Sequence, residues 1–320
     1  MSRFVVDAHV HSLRFRPGLL KAGEEWSYRS LEQKIYTSQP FDNTPQLLRD
    51  MAKHGVDFCL ISSAFNMRND MILEQVKQHP QRFRGLCNCA EMLRRVQAGE
   101  GEFDIQQAAD EIDGWLAHAE FAGIGEAYLF PSHSDFRPLD QCLEDTCRFM
   151  EVARKHKKPI LFHTGFIRYP TVRLRLVDPI WIDDLACIFP DVPIVIGHMG
   201  VQAGWYRTFP ENALMVAARH PQVYLETSQA PSDLIERAYL DPHIGPSKIM
   251  FGSDYGASIS YARVGDTTMA VTATPPTYLP DHFAWNLKQV MDIRMTEDER
   301  DLVLGLNAAR VFGIDTEASG

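Results

Sequence analysis

Arg3-Phe-Val-Val-Asp7-Ala-His9-Val-His11 opens the chain with an apolar, β-branched run that ends in two histidines one residue apart. Such a run reads as a buried strand, and the period of two along a strand puts His9 and His11 on one face. Two imidazoles in that relation can chelate one divalent ion. Two polar side chains hydrogen-bonded at a strand end would give the same letters, so the meaning of the stretch depends on its surroundings. Counting the first run as Arg3 to Ala8, seven more follow: Asp57 to Ser62, Phe83 to Cys89, Gly123 to Leu129, Pro159 to Gly165, Pro193 to His198, Val223 to Thr227 and Lys248 to Asp254. Helical periods lie between them. Ile105, Ala108, Ala109, Ile112, Trp115, Leu116 and Ala119 form one apolar stripe, and Leu139, Cys142, Leu143, Cys147, Met150 and Ala153 form another that stops near Lys157-Lys158-Pro159. Eight alternations predict an α/β protein, a (β/α)8 TIM barrel, over a doubly wound sheet.

Composition agrees with one soluble globular unit. Of 320 residues, 45% are hydrophobic and 23% charged, enough for a large core and too apolar for disorder. No Pro/Gly/Ser-rich linker divides the chain, so a single barrel domain is expected over residues 1–314, with Asp315 to Gly320 as a tail. Two long connections, Ser12 to about Asn43 and Tyr255 to about Pro280, leave the C-terminal ends of strands, where barrel active sites are built. Lys and Arg number 32 against 42 Asp and Glu, a net charge of -10 that argues against a nucleic-acid partner. No stretch has the length of a membrane span or signal peptide, and the six cysteines lie mostly in apolar runs, so a reducing, cytoplasmic location is expected.

The other strand ends repeat the pattern of the first. The fourth run contains Gly-Ile-Gly-Glu126, the fifth Leu-Phe-His163-Thr-Gly, the sixth Ile-Gly-His198-Met-Gly and the eighth Phe-Gly-Ser-Asp254-Tyr-Gly. Each places one potential ligand where an apolar run stops, all at the same rim. Of the other eight histidines, four act as a control: His54, His79, His156 and His220 fall at predicted helix C-termini, where an imidazolium suits the negative end of the helix dipole, while His118 lies within a helix, His243 in the connection before the eighth run, and His133 and His282 in loops. Cys87 and Cys89 share a strand face but read as small apolar core residues.

Taken together, DAHVH, GE, FHTG, GHMG, FGSD and the closing Gly305-Leu-Asn307-Ala-Ala-Arg310-Val-Phe-Gly313 resemble the amidohydrolase superfamily, in its amidohydrolase-2, or aminocarboxymuconate-semialdehyde-decarboxylase-like, branch. The resemblance runs from Val5 to Gly313. It implies that His9, His11 and Asp254 bind a first metal, that His163 is a further ligand, and that Asp254 shuttles a proton. His198 would be a second-metal ligand in binuclear members or a general acid/base in mononuclear decarboxylases. Glu126 departs from the decarboxylase pattern, which lacks an acid at the end of the fourth strand, whereas binuclear members place a bridging group there. A carboxylate can hold one ion on each oxygen and so bridge two; the alternative is an acceptor that orients a ligating histidine. The expected cofactor is a divalent metal, zinc first and manganese second, with one or two ions per chain.

The expected activity is metal-dependent hydrolysis of a C–N or C–O bond, an amide, lactone or ester, in a small carboxylated or cyclic compound. The alternative is non-oxidative decarboxylation of an aromatic or unsaturated acid at one Zn²⁺ or Mn²⁺. A TatD-like nuclease shares the ligand types but not the acidic balance or the aromatic loops, and a binding protein without catalysis would not need every ligand position filled. Three arginines, Arg168, Arg173 and Arg175, follow the fifth strand, and Arg168 is nearest to His163, where its fork suits a substrate carboxylate. Tyr169, Trp205 and Tyr255 join Arg168 as candidate substrate contacts, with Trp26, Tyr28, Phe65 and Tyr206 as further aromatics of the rim loops. A small-molecule partner and a homodimer are expected.

Overall fold

The computed structural model describes residues 3–15, 40–42, 44–62, 68–129, 137–165, 173–201, 207–256, 261–264, 267–270 and 281–316. Eight strands form one parallel sheet in chain order: β1 (Val6–Val10), β2 (Phe58–Ser62), β3 (Phe83–Cys87), β4 (Phe121–Ala127), β5 (Ile160–Phe162), β6 (Ile194–Ile196), β7 (Val223–Glu226) and β8 (Ile249–Met250). The chain just past β8 returns to β1, with Ala8 N–H donating to Phe251 O (3.0 Å), His11 N–H to Tyr255 O (2.7 Å) and a parallel bridge between Val10 and Tyr255. These contacts bring the eighth strand to the first, and the fold is the expected (β/α)8 barrel.

The helices are α1 (Thr44–His54), α2 (Asn69–Gln78), α3 (Ala90–Ala98), α4 (Ile105–Leu116), α5 (Leu139–His156), α6 (Ile182–Ile188), α7 (Thr208–Arg219), α8 (Ser232–Leu240), α9 (His282–Met291), α10 (Glu297–Asp301) and α11 (Asn307–Phe312), the last preceded by a π-helical turn, Leu302–Leu306. Local chemistry sets their ends. Asp104 accepts the Gln107 N–H to start α4, and Lys157 takes a left-handed φ of 54° to end α5 just before Pro159. Both stripes face the core: Ala108, Ala109, Ile112 and Leu116 of α4 and Cys142, Met150 and Ala153 of α5 are buried.

Two apolar layers result. Val6, Ala8, Phe58, Leu60, Leu86, Ala122, Leu161, Val195 and Met250 fill the barrel interior, and Ala308, Ala309 and Phe312 of α11 pack onto them. Asn307 ties this plug down by donating to Pro246 O (2.7 Å) and Ile249 O (2.8 Å). A second, larger layer joins the outer faces of the strands to the helices. Strict alternation would put His9 opposite the inward-facing Val6 and Ala8. Register shifts occur between Asp7 and Val10 of β1 and between Ile124 and Ala127 of β4, the segments that contain His9 and Glu126. Such irregularities re-aim side chains beside functional sites, and here they turn His9 and Glu126 toward the barrel mouth.

Several strands are shorter than their apolar runs. β1 begins at Val6 rather than Arg3, and β8 covers two residues instead of Lys248 to Asp254, because the chain leaves the sheet where it delivers the polar side chains. Within the two long connections, Leu13–Phe15 pairs antiparallel with Pro40–Asp42, and Tyr261–Val264 with Thr267–Ala270. Among the described residues no helix is long and apolar enough to cross a membrane.

Candidate metal centre

Every barrel strand ends at one rim, and the parallel sheet therefore gathers the polar strand-end residues. His9 lies within β1 and His11 just past it; Glu126 is the penultimate residue of β4; His163 follows β5; His198 lies two residues past β6; Glu226 ends β7; Asp254 lies four residues past β8. His9, His11, Glu126, His163, His198, Glu226 and Asp254 are all buried, none more than 4% exposed. His198 and Asp254 hold left-handed φ values of 60° and 53°, as does Gln229 at 60°. That conformation costs a residue with a side chain about 1–2 kcal/mol, and its concentration here marks a site where geometry outweighs local preference.

The donor atoms converge. His9 Nε2 is 3.1 Å from His11 Nε2, and Asp254 Oδ1 is 3.4 Å from His11 Nε2 and 4.0 Å from His9 Nε2. Glu126 Oε1 is 3.5 Å from His9 Nε2 and 3.2 Å from His198 Nε2, and its Oε2 is 3.7 Å from His11 Nε2. Donors about 2.1 Å from a tetrahedral ion sit about 3.4 Å from one another, so these spacings suit a ligand shell. Two overlapping sets emerge, His9–His11–Asp254 and His9–Glu126–His198, sharing His9. His163 joins through its Nδ1, which contacts Glu126 Oε1, while its Nε2 is buried without a hydrogen-bond partner.

Hydrogen bonds behind the rings fix their tautomers. His11 Nδ1 faces Ser62 O at 3.1 Å and His9 Nδ1 faces Glu226 Oε2 at 3.0 Å, so both carry their proton there and present a bare Nε2 forward. Glu226 also accepts the backbone N–H groups of His198 (3.1 Å) and Ser228 (2.5 Å) and the Ser228 hydroxyl (2.8 Å). Because that hydroxyl proton goes to Glu226, Ser228 Oγ accepts from His198 Nδ1 at 2.7 Å, and a neutral His198 presents a bare Nε2 to Glu126. Lone pairs of three imidazoles and a carboxylate thus point at one another, which is stable only with a cation among them, a metal ion or protons.

The electrostatics say the same. Burial opposes ionisation of Glu126, but His163 and His9 overcome it and hold its carboxyl well below the usual range. Burial likewise opposes Asp254, and His11, His198 and His9 bring it down to about 2. Glu226 is lowered against its burial by His9 and His198. Burial resists charge on His9, yet Glu126 and Glu226 raise its pKa well above the ordinary value, whereas at His163 burial prevails and favours the neutral ring. Among the described residues, no Lys or Arg pairs with any of the three carboxylates. A divalent ion suits this acceptor-rich, anionic cage.

Glu226 and Ser228 were not identified as site residues from the sequence. Their signal was present, since Leu225-Glu226-Thr227-Ser228 ends a strand in an acid just as Gly125-Glu126 does. Tyr128 is a further addition: its ring stacks on His163 (4.7 Å between centroids) and its hydroxyl lies 3.4 Å from Glu126 Oε2. Gln229 donates to Asp254 Oδ2 at 2.5 Å, which leaves Oδ1 facing the histidines. Of the candidate substrate contacts, Tyr255 stacks on Phe283 and gives its hydroxyl to Asp50 (2.7 Å), so its polar end is committed within the wall. Arg168, Tyr169 and Trp205 lie outside the described residues, as do Trp26, Tyr28, Phe65 and Tyr206. His54 and His156 bond to Asp281 and Asp113, in keeping with structural roles, and His220 contacts Asp183. Cys87 and Cys89 are buried core thiols whose pKa values burial raises.

Solved structures resemble the whole chain. A dihydroxybenzoic acid decarboxylase from Polaromonas sp. JS666 with bound manganese is 17% identical, with 99% of each chain covered and a TM-score of 0.59. An amidohydrolase from Burkholderia multivorans with bound zinc is 15% identical over 98% of this chain and 100% of that one, TM-score 0.60. A probable 2-pyrone-4,6-dicarboxylic acid hydrolase from Acinetobacter baumannii is 14% identical over 97% and 99%, TM-score 0.58. At such identities the likeness is one of fold. No curated protein matches the chain. The amidohydrolase family model Amidohydro_2, however, matches residues 6–314, nearly all of the barrel that carries these ligands, and the chain belongs to that family.

Proposed function

We propose that the protein is a metal-dependent hydrolase of a C–N or C–O bond in a small carboxylated or cyclic compound. The observation that carries this reading is the position of Glu126, whose carboxylate enters the space between the Nε2 atoms of His9, His11 and His198 instead of pointing away from it. His9, His11 and Asp254 would hold one divalent ion, zinc or manganese, and Glu126 with His198 and His163 would extend the cage toward a second. An ion so held supplies Lewis acidity, polarising the scissile carbonyl and lowering the pKa of the attacking water.

The chain's own residues do the rest. Asp254, kept ionised by His11, His198 and His9 and oriented by Gln229, offers Oδ1 to the proton of the attacking water and returns it to the leaving group. Its depressed pKa makes it a weak base, suited to a water whose own pKa a bound ion would lower. His198, held from behind by Ser228, presents Nε2 to the same space. For the substrate we assign the carboxylate to Arg168, with Tyr169, Trp205 and Tyr255 as the further substrate contacts. Arg168→Met should weaken kcat/KM for carboxylated substrates by about 2 kcal/mol and spare uncharged analogues. Equal losses for both would make Arg168 structural.

The overlap of the two ligand sets favours one second reading. If only His9, His11 and Asp254 hold an ion, His198 Nε2 and Glu126 are free to manage a proton, and the site suits decarboxylation of an aromatic acid, the activity named for the Polaromonas structure. Elemental analysis of the native protein and of Glu126→Gln separates the two. About two ions per chain, loss of chiefly one in the variant, and turnover of lactones, esters or amides support hydrolysis. A single ion retained by the variant, with CO₂ released from an aromatic acid, overturns it in favour of the lyase.

A further inference from the structure

A second cluster of ligating side chains lies away from the barrel mouth, where the chain enters β6 and β7 at the opposite rim. Asp183 and Cys187 stand one turn apart on α6 and share a face, and His220 follows the last turn of α7 just before β7. One donor atom from each lies within 4.8 Å of the other two. His220 Nε2 contacts Asp183 Oδ1 at 2.6 Å, while Arg219 Nη1 sits 3.2 Å from Asp183 Oδ2. His220 is buried, Asp183 half-buried and Cys187 exposed, so the imidazole forms a fixed floor and the thiol an open edge through which an ion can enter.

We propose that Asp183, Cys187 and His220 form a peripheral Zn²⁺ site that ties α6 to α7. The mixture of sulfur, nitrogen and oxygen selects a borderline-soft ion over Mg²⁺ or Ca²⁺, and three protein donors leave a fourth position for water. On binding, Cys187 gives its thiol proton to solvent, neutral His220 carries its ring proton on Nδ1 so that Nε2 can coordinate, and Asp183 exchanges its histidine contact for the ion. Arg219 stays on the other Asp183 oxygen and orients the carboxylate. The cluster shares no residue with the barrel-mouth cage and does not depend on the hydrolase reading.

The thiol makes the site separable from the mouth, whose candidate ligands contain no cysteine. Zn²⁺ added to the native protein should slow alkylation of Cys187 by iodoacetamide at least about tenfold, with half-buried Cys147 as an unprotected reference. Co²⁺ should give a thiolate-to-metal charge-transfer absorption that disappears in Cys187→Ser, and protection should be lost in Asp183→Asn. Both variants should keep the metal content of the mouth. Unchanged alkylation of Cys187 at Zn²⁺ concentrations that fill the mouth would overturn the proposal.

Discussion

At the scale of single residues, the ligand cage is made by what stands behind it. His9 and His11 could each bind a metal through either ring nitrogen; Glu226 and the Ser62 carbonyl decide the matter by taking the Nδ1 protons. Glu226 serves four donors at once, His9 Nδ1, His198 N, Ser228 N and Ser228 Oγ, and so couples the first metal ligand to the orientation of His198. Glu226→Gln keeps the shape but removes the charge and turns one acceptor into a donor facing those N–H groups. Metal affinity should fall about 10–100-fold, measured by competition with a chromophoric chelator, while circular dichroism stays native. Undiminished affinity would show that Glu226 supports the fold alone.

At the scale of elements, the barrel depends on close approaches that only glycine permits. Gly305, in the π-helical turn, lies where an added Cβ would stand 2.0 Å from Phe4 O, two residues before β1. A backbone oxygen cannot swing aside as a side-chain tip can, so Gly305→Ala must push the C-terminal plug off the barrel floor. The expected loss is about 3 kcal/mol in urea unfolding, with the metal content of the folded fraction retained; a loss under about 1 kcal/mol would mean that the plug shifts freely. The sequence pattern already held most of this architecture. Buried parallel strands must be apolar on both faces, which makes eight runs visible, and ligands that stop such runs stand out as polar letters at their ends. Irregularities within strands were not legible, because the register shifts beside His9 and Glu126 arise from how neighbouring strands pair and leave no letter of their own. Glu226 escaped notice because its partners are a histidine 217 positions earlier and a serine two positions later, and only the closed barrel brings the first within reach. The stretches of sequence that carry Arg168, Tyr169 and Trp205 show no hydrophobic period, so residue type was the sole guide there.

At the scale of the whole molecule, an acidic chain of net charge -10 closes its barrel mouth over three depressed carboxylates that, among the described residues, no arginine or lysine pairs with. Without a metal, protons are the counter-charge available. His9 is held well above its ordinary pKa, and burial, reinforced by Glu226, pushes Asp7 up to about 7 against its hydrogen bonds from Ser253 and His9. Both groups bind protons more readily folded than unfolded. Their contribution is complete below their unfolded pKa values and disappears as pH rises through the folded ones, so metal-free stability should decline as pH rises to about 7, where Asp7 ionises, and further above the ordinary imidazole range, where His9 gives up its proton. Glu126, Glu226 and Asp254 act in the opposite sense, but their contribution is complete above the usual carboxylate range and is lost only in acid, through about 2 for Asp254, outside this window. Metal binding must displace the His9 proton and therefore tightens as pH rises. The stability gap between metal-bound and metal-free protein should widen by about 1.4 kcal/mol per pH unit for each proton displaced. Urea unfolding with excess Zn²⁺ and with chelator, at about pH 6 and about pH 8, measures that gap. A gap of equal size at both pH values would mean that no proton occupies the cage when the ion is absent, and the balance of charge at the barrel mouth would then have to come from elsewhere in the chain.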